Sequence, residues 1–202
     1  MWGTKSAHDG VHRATNTELF YVNAGRATLQ DKSGREETFK AGDAVLIPRG
    51  AEFAWKRSED EREYFVVFDF DPVARQTAAK QNIPSTFMKL DPNGPAGKGL
   101  PTESMGGREY EYYSGPTGSS VGVWETNGFE SKKFSTAKHS EFMLILDGAV
   151  TLSSPDGTSE TFKTGDAALV PRGAQSKWSS GKIKKFWVAF DFEPPAQESA
   201  RK

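Results

Sequence analysis

The sequence predicts an all-β protein in which two tandem β-barrels are joined by a short helix. One observation is that short runs rich in β-branched and aromatic residues alternate with turn residues, which is typical of a sandwich or closed barrel. Another is an internal repeat: residues 18–55 align without a gap to residues 141–178, and 18 of these 38 positions are identical. This period is too long for a solenoid unit, so we expect two whole domains made by duplication.

Composition limits the classes of partner and compartment. The chain has 202 residues, 36% hydrophobic and 26% charged, with a formal net charge of −1 and no basic block. We therefore expect a globular protein that does not bind nucleic acid. Neither a run of eighteen apolar residues nor a secretory signal is present, so we expect a cytoplasmic protein without a membrane partner. The absence of cysteine excludes disulfides, thiolate nucleophiles and zinc–sulfur sites.

The first copy predicts five short strands, at residues 20–22, 27–29, 38–39, 44–47 and 65–70. Between the copies, Asp71 and Pro72 can begin a helix as N-cap and first helical residue, so we predict a helix over 73–81. Residues 91–107 are predicted to form a loop, and 109–123 to add two strands to the second copy. The first barrel then either lacks such strands or takes them from the linker. The predicted divisions are 1–71, 72–84, 85–193 and a tail at 194–202.

Two motifs present in both copies resemble those of the cupin superfamily. The pattern G-x5-P-x-G begins at Gly42 and Gly165, and E-x6-G begins at Glu18 and Glu141. The chain is similar to the subgroup that includes ethanolamine-utilisation-type cupins and the cupin domain of (S)-ureidoglycine aminohydrolase. This resemblance covers nearly the whole chain. It implies a bicupin of two RmlC-like jelly-roll barrels, also described as double-stranded β-helices.

The resemblance also implies a metal site inside each barrel, formed by H-x-H-x3-4-E and one later histidine. In the first copy, His12 and Glu18 occupy two of the four ligand positions, while Ala14 and Phe53 occupy the others. Two protein ligands hold a transition metal poorly. We expect no cofactor, and if a divalent transition metal does bind, His12 and Glu18 are the predicted ligands.

The second copy retains only one of the four ligand positions implied by the resemblance. Glu141 is present, but the histidine positions hold Ser135, Ala137 and Ser176. His139 lies two residues before Glu141, so strand alternation can place both on one face, although His139 matches no ligand position.

Glu141 and, with less support, Glu18 are the candidate catalytic residues. Burial of a carboxylate in an apolar barrel raises its pKa, which is how general bases are tuned toward neutrality. The alternative is a structural glutamate bonded to backbone amides or to an arginine.

The second barrel is the expected ligand site, since Ser176 leaves more room there than Phe53 leaves in the first. Its indoles can provide a stacking platform, or they can simply fill a small core. Arg172 can clamp a ligand carboxylate, or it can be an exposed turn residue paired with an acid. The candidate ligand-binding residues are Trp178, Met143, Ser176, Trp124, Trp187, Trp55, Phe53 and Arg172.

Three functions remain open at this point. The first is a small-molecule-binding bicupin with little or no catalysis. The second is a metal-dependent enzyme resembling ureidoglycine aminohydrolases, acting on a small carboxylate or ureide. The third is a metal-free lyase or isomerase that uses Glu141. A small molecule is the expected partner, and edge strands provide a route to a homodimer.

Overall fold

The computed structural model of the protein describes residues 10–68, 82–97, 99–115 and 117–191. These residues form β-strands and one short 3-10 turn, Pro95–Gly97, which confirms the predicted all-β class. The predicted helix at 73–81 and the tail at 194–202 lie outside the described residues. Within the described ranges, no helix is long and apolar enough to cross a membrane.

The N-terminal sheet has the strand order β1-β5-β2-β4-β6, and β3 pairs with β2. Its strands are β1 (His12–Arg13), β2 (Thr17–Asp31), β3 (Glu36–Lys40), β4 (Ala44–Ile47), β5 (Glu52–Phe68) and β6 (Met88–Leu90). Strand β6 comes from the linker and pairs antiparallel with β4. The first barrel therefore takes a strand from the segment between the copies, and its sheet extends past residue 85, where the second barrel was predicted to begin.

The C-terminal sheet has the strand order β13-β12-β15-β9-β8-β7, with β10 and β11 paired to β15 and β14 paired to β12. Its strands are β7 (Thr102–Ser104), β8 (Gly107–Ser114), β9 (Ser120–Thr126), β10 (Phe129–Glu130), β11 (Ser135–Thr136), β12 (Ser140–Ser153), β13 (Ser159–Lys163), β14 (Ala167–Val170) and β15 (Gln175–Phe190). Strands β8 and β9 are the two additional strands expected for the second copy. The two sheets are consistent with tandem jelly-roll barrels.

The duplication extends to individual hydrogen bonds. Asp43 accepts a hydrogen bond from the backbone N–H of Lys40 at 3.0 Å, and Asp166 accepts one from Lys163 at 2.9 Å. Each aspartate thereby closes the turn between two strands of its own barrel, as expected for an aspartate that bonds to nearby backbone. The same local sequence gives the same turn in both copies.

Apolar side chains form three clusters, because alternate residues along each strand point to opposite faces. One cluster fills the first lumen and includes Phe20, Phe39 and Phe53. A second lines the second lumen. The third joins the outer faces of the two sheets, so the barrels share a buried core that includes Leu19, Leu46, Tyr113, Val123, Phe186 and Val188.

Candidate functional site

The first lumen is filled by aromatic rings. Trp55 contacts Phe20 and Phe53, with ring centroids 5.6 and 6.2 Å apart, and Phe39 meets Phe87 at 5.9 Å. Phe87 comes from the linker, just before β6. Large rings of this kind are the usual filling of a small barrel, so Trp55 and Phe53 act here as core residues.

The second lumen contains a cavity of about 170 Å³ with a chemically mixed wall. Glu109 and Glu141 bring carboxylates, Lys185 an ammonium and His139 an imidazole. The remaining lining residues are Trp124, Trp187, Met105, Ser120 and Ala189. The structure therefore gathers three of the predicted site residues, Glu141, Trp124 and Trp187, around one small cavity.

Strand register explains why these side chains meet. Lys185, Trp187 and Ala189 alternate along β15 and so share one face. Ala189 lies opposite Glu141 of β12 and Ser120 of β9, and the other residues of this face follow in the same register. Three neighbouring strands thus project one set of side chains into the lumen.

Two glycines provide room for the indoles. A Cβ built on Gly122 would lie 2.5 Å from Cζ2 of Trp187 and 2.7 Å from the carbonyl oxygen of Tyr110. A Cβ on Gly107 would lie 2.8 Å from Cε2 of Trp124. Real Cβ contacts are not this short, and at Gly107 the nearest atom is the backbone oxygen of Glu125. A larger residue at either position would therefore displace an indole or the neighbouring strand backbone.

Lys185 and Glu141 form an ion pair in this lumen. The Lys185 Nζ lies 2.5 Å from Glu141 Oε1, and Lys185 is only 5% exposed. The same Nζ lies 4.7 Å from the ring centroid of Trp178 and 5.4 Å from that of Trp124. A carboxylate and two indole faces therefore hold one ammonium, and both kinds of contact favour a cation.

Neighbouring groups orient this pair. The Trp178 Nε1–H donates to the Ser176 Oγ at 2.9 Å, which fixes the indole beside Lys185. His139 Nε2 lies 4.0 Å from Glu141 Oε2. His139 lies in the bend just before β12 and not on the strand, and both His139 and Glu141 line the cavity.

The donor set of the second barrel does not fit a transition metal. Ser135, Ala137 and Ser176 bring no imidazole, and the one retained carboxylate, Glu141, is bound by the ammonium of Lys185. A divalent cation at Glu141 would be repelled by that ammonium at short range. Across the described ranges, no group of three or more His, Cys, Asp or Glu side chains is arranged to hold an ion.

Comparison with known families agrees with this architecture. A cupin domain model matches residues 3–68, and an EutQ-like cupin domain model matches residues 115–185. The chain belongs to the cupin superfamily. It is a bicupin, with one cupin domain in each copy of the repeat.

Solved structures similar to this bicupin share its fold. One is a DUF861-family protein of unknown function from Pseudomonas syringae pv. tomato, 22% identical, with 91% of this chain and 79% of that chain covered and a TM-score of 0.72. A cupin 2 conserved barrel domain protein from Leptotrichia buccalis is 11% identical, with coverages of 92% and 79% and a TM-score of 0.62. The DUF861 protein Ylba from E. coli is 13% identical, with coverages of 93% and 74% and a TM-score of 0.57. No curated protein matches the chain.

The first barrel of the bicupin differs from the second at the equivalent positions. Glu63 lies opposite Val22 in β2, as Lys185 lies opposite Ile145 in β12, so an acid replaces the lysine. Burial raises the pKa of the Glu18 carboxyl above its ordinary range. His12 pairs with Phe53 across β1 and β5 and is exposed.

Two other predicted site residues of the bicupin lie away from the cavity wall. The Arg172 guanidinium donates to the Asp191 carbonyl oxygen at 3.2 Å and lies 3.4 Å from its carboxylate, which is the turn role left open by the sequence. Met143 has no exposed surface and packs with the apolar cluster of the second lumen.

Lys185 was not among the residues singled out from the sequence of the bicupin. It follows Lys184 in a strand with several lysines, which is typical of a solvated face. Strand alternation could have indicated its position. Lys185 lies two residues before Trp187, so the two side chains lie on the same face of the strand.

Proposed function

We propose that this bicupin binds a small organic molecule in its C-terminal barrel, without a transition metal, and that its N-terminal barrel is a scaffold. The observation that carries the proposal is the Lys185–Glu141 ion pair on the wall of the second cavity. Burying charges costs free energy that well-packed apolar residues would avoid. The first lumen is packed with apolar side chains, including several phenylalanine rings. The second barrel keeps two charged side chains beside its cavity despite this cost, which favours a role of that cavity in ligand binding.

The cavity size supports a small ligand. A volume of about 170 Å³ is below the roughly 300–1,000 Å³ typical of drug-sized ligand pockets. Trp124 and Trp187 offer flat apolar surface, while Lys185 donates hydrogen bonds and Glu109 accepts them. A compact molecule with one planar face and a few polar atoms, such as a small carboxylate or ureide, matches this wall.

Catalysis without a metal is the second candidate function. Glu141 and His139 both reach the cavity, and a carboxylate beside an imidazole can move a proton on a bound molecule. A metal-dependent reaction like that of ureidoglycine aminohydrolases has less support, since the three histidine positions of such a site hold Ser135, Ala137 and Ser176. His139 lines the cavity beside Glu141 but matches none of these positions.

The test is a thermal-shift screen of small carboxylates and ureides with protein purified without a His-tag, followed by calorimetric titration of each hit. We expect Trp187→Ala to abolish binding, because this indole lines the cavity. Trp55→Ala is the matched control in the first lumen and should leave the affinity unchanged. Circular dichroism checks that both variants are folded.

Further outcomes separate the candidate functions. Binding that persists in Glu141→Gln without any conversion of the ligand by the native protein supports a carrier or sensor. Conversion by the native protein that is lost in Glu141→Gln supports the metal-free enzyme. About one equivalent of transition metal in the purified protein would contradict a metal-independent site.

A further inference from the structure

We propose that Lys185 replaces the metal ion of the second barrel: its ammonium supplies the positive charge of the lumen and excludes a divalent cation from Glu141. This inference deepens the proposed function, on which it rests for the role of the cavity. The inference concerns only the competition between Lys185 and a divalent cation for the Glu141 carboxylate. It can therefore be wrong while the proposed ligand-binding function is right.

The ammonium holds the position where a metal would meet its carboxylate ligand. Lys185 Nζ contacts Glu141 Oε1, the only ligand position retained in this copy. Of the three lost histidine positions, Ala137 packs against the apolar cluster of this lumen, and the exposed Ser135 lies opposite Ser176 in the β11–β15 pair.

Lys185 is also held so that it cannot easily move away. It is 5% exposed, and its Nζ lies near the faces of both Trp178 and Trp124. Long lysine side chains usually extend toward water, and a buried one is retained only where the charge is paired. A divalent ion at Glu141 would meet a fixed positive charge a few ångströms away, and this repulsion is strong in a poorly solvated site.

Among its described residues, the first barrel has neither the buried lysine nor the polar cavity that the second barrel has. Its equivalent of Lys185 is Glu63, and aromatic rings fill its lumen. The ammonium is therefore present in the copy that keeps a polar cavity.

The experiment restores the missing histidines with and without the lysine. Ser135→His, Ala137→His and Ser176→His are combined in one protein, and Lys185→Met is added in a second. Zn²⁺ alone is titrated into each by calorimetry, with no organic ligand present. We expect Zn²⁺ to bind at least about tenfold more tightly when Lys185 is removed, because the repulsion at Glu141 is relieved.

The matched control is Lys184→Met in the same histidine background. Lys184 is the neighbour of Lys185 in β15, but it pairs with Glu125 at 3.0 Å and does not line this cavity. It should leave the Zn²⁺ affinity unchanged. Equal Zn²⁺ affinities with and without Lys185, or an equal gain from Lys184→Met, would overturn the inference.

A smaller pair of variants covers the case in which three histidines prevent folding. Ser176→His, with and without Lys185→Met, restores one imidazole at a position that the family resemblance gives to a metal ligand, and it receives the same titration. Tighter Zn²⁺ binding only without the lysine supports the inference, and equal binding overturns it. Failure to find an organic ligand would count against the proposed function and would leave this metal result standing.

Discussion

At the scale of single residues, the Lys185–Glu141 ion pair sets the charges on the wall of the second cavity. A buried ion pair is not an efficient source of stability, because desolvation of both charges offsets their attraction. Lys185 and Glu141 nevertheless face each other inside the barrel, with the lysine 5% exposed. The pair fixes a positive and a negative charge beside the cavity, where the proposed ligand would meet both.

The pair predicts a non-additive effect on stability. Lys185→Met leaves the partly buried Glu141 carboxylate without its ammonium partner, with the His139 imidazole 4.0 Å away as its remaining neighbour. It should cost up to about 3 kcal/mol of the free energy of unfolding. The double variant Lys185→Met/Glu141→Gln removes both charges and should recover part of that loss. Urea denaturation of the two single variants, the double variant and the native protein measures the coupling. Costs that simply add would show that the two side chains do not interact energetically.

Glu18 predicts a pH-dependent effect in the first barrel. Burial raises its pKa in the folded protein above the ordinary value of 4.5, so ionisation of this carboxyl opposes folding. The contribution of the protonated Glu18 carboxyl to stability is fully present below the ordinary pKa of 4.5. It is lost as the pH rises through the folded-state pKa of this group. Glu18→Gln should therefore stabilise the protein at about pH 7 and have little effect at about pH 4.

Thermal unfolding at both pH values checks the Glu18 prediction, with Glu160→Gln as the control. Glu160 is an exposed residue of β13 and should change little at either pH. The same gain from Glu18→Gln at both values would show that ionisation is not its cause.

Residue-level features were predictable from sequence where a motif marked them. Glu141, Trp124 and Trp187 follow from the repeat and from strand alternation, and all three line the cavity. Lys185 was not predictable from its residue type, since a lysine in a strand is ordinarily solvated. Its burial depends on the pairing of β15 with both β9 and β12, which brings Trp124 and Glu141 to it from distant parts of the chain.

At the scale of elements, the hairpin between β7 and β8 stores strain at the cavity. Ser104 pairs with Gly107, so Met105 and Gly106 form a two-residue turn, and both have positive φ, at 45° and 74°. Such turns favour Asn-Gly, whereas methionine carries a steric cost in this region. Met105 also lines the cavity and is 69% exposed. The strained residue therefore belongs to the cavity wall and reaches the protein surface.

This turn predicts a stabilising substitution. Met105→Asn should raise the free energy of unfolding by about 1 kcal/mol, because asparagine tolerates the left-handed conformation. Met105→Ala removes the same side chain but keeps the steric cost, so it should not stabilise. Urea denaturation of both variants checks this, and an equal gain from alanine would assign the effect to the lost side chain instead.

The strands around the linker show which elements could be predicted from the sequence and which could not. Strands β8 and β9 could be predicted because 109–123 carries a strong strand pattern ahead of the second copy. Strand β6, Met88–Leu90, is three residues long and gains its structure by pairing with β4 across the chain. Local pattern does not specify such a partner, since pairing over long sequence distances depends on the completed sheet.

At the scale of the whole molecule, the two barrels pack against each other through a shared core. The cluster between the sheets takes Leu19 and Leu46 from the first copy and Val123 and Phe186 from the second. A buried hydrogen bond between Thr17 Oγ1 and the hydroxyl of Tyr113, 3.1 Å long, also joins the copies. Neither sheet can lose its partner without exposing this surface, so the scaffold role proposed for the first barrel includes support of the second.

The shared core predicts that damage to the first barrel unfolds the second. Leu46 has no exposed surface and belongs to the first copy, so Leu46→Ala should cost about 3 kcal/mol. In a background with Trp2→Phe and Trp55→Phe, tryptophan fluorescence reports only Trp124, Trp178 and Trp187 of the second copy. If the barrels unfold as one unit, this signal shifts together with far-ultraviolet circular dichroism. Leu29→Ala changes the lumen of the first barrel instead of the shared core, and it should produce the same joint shift. A fluorescence transition that stays in place while the circular dichroism transition moves would show that each barrel folds independently.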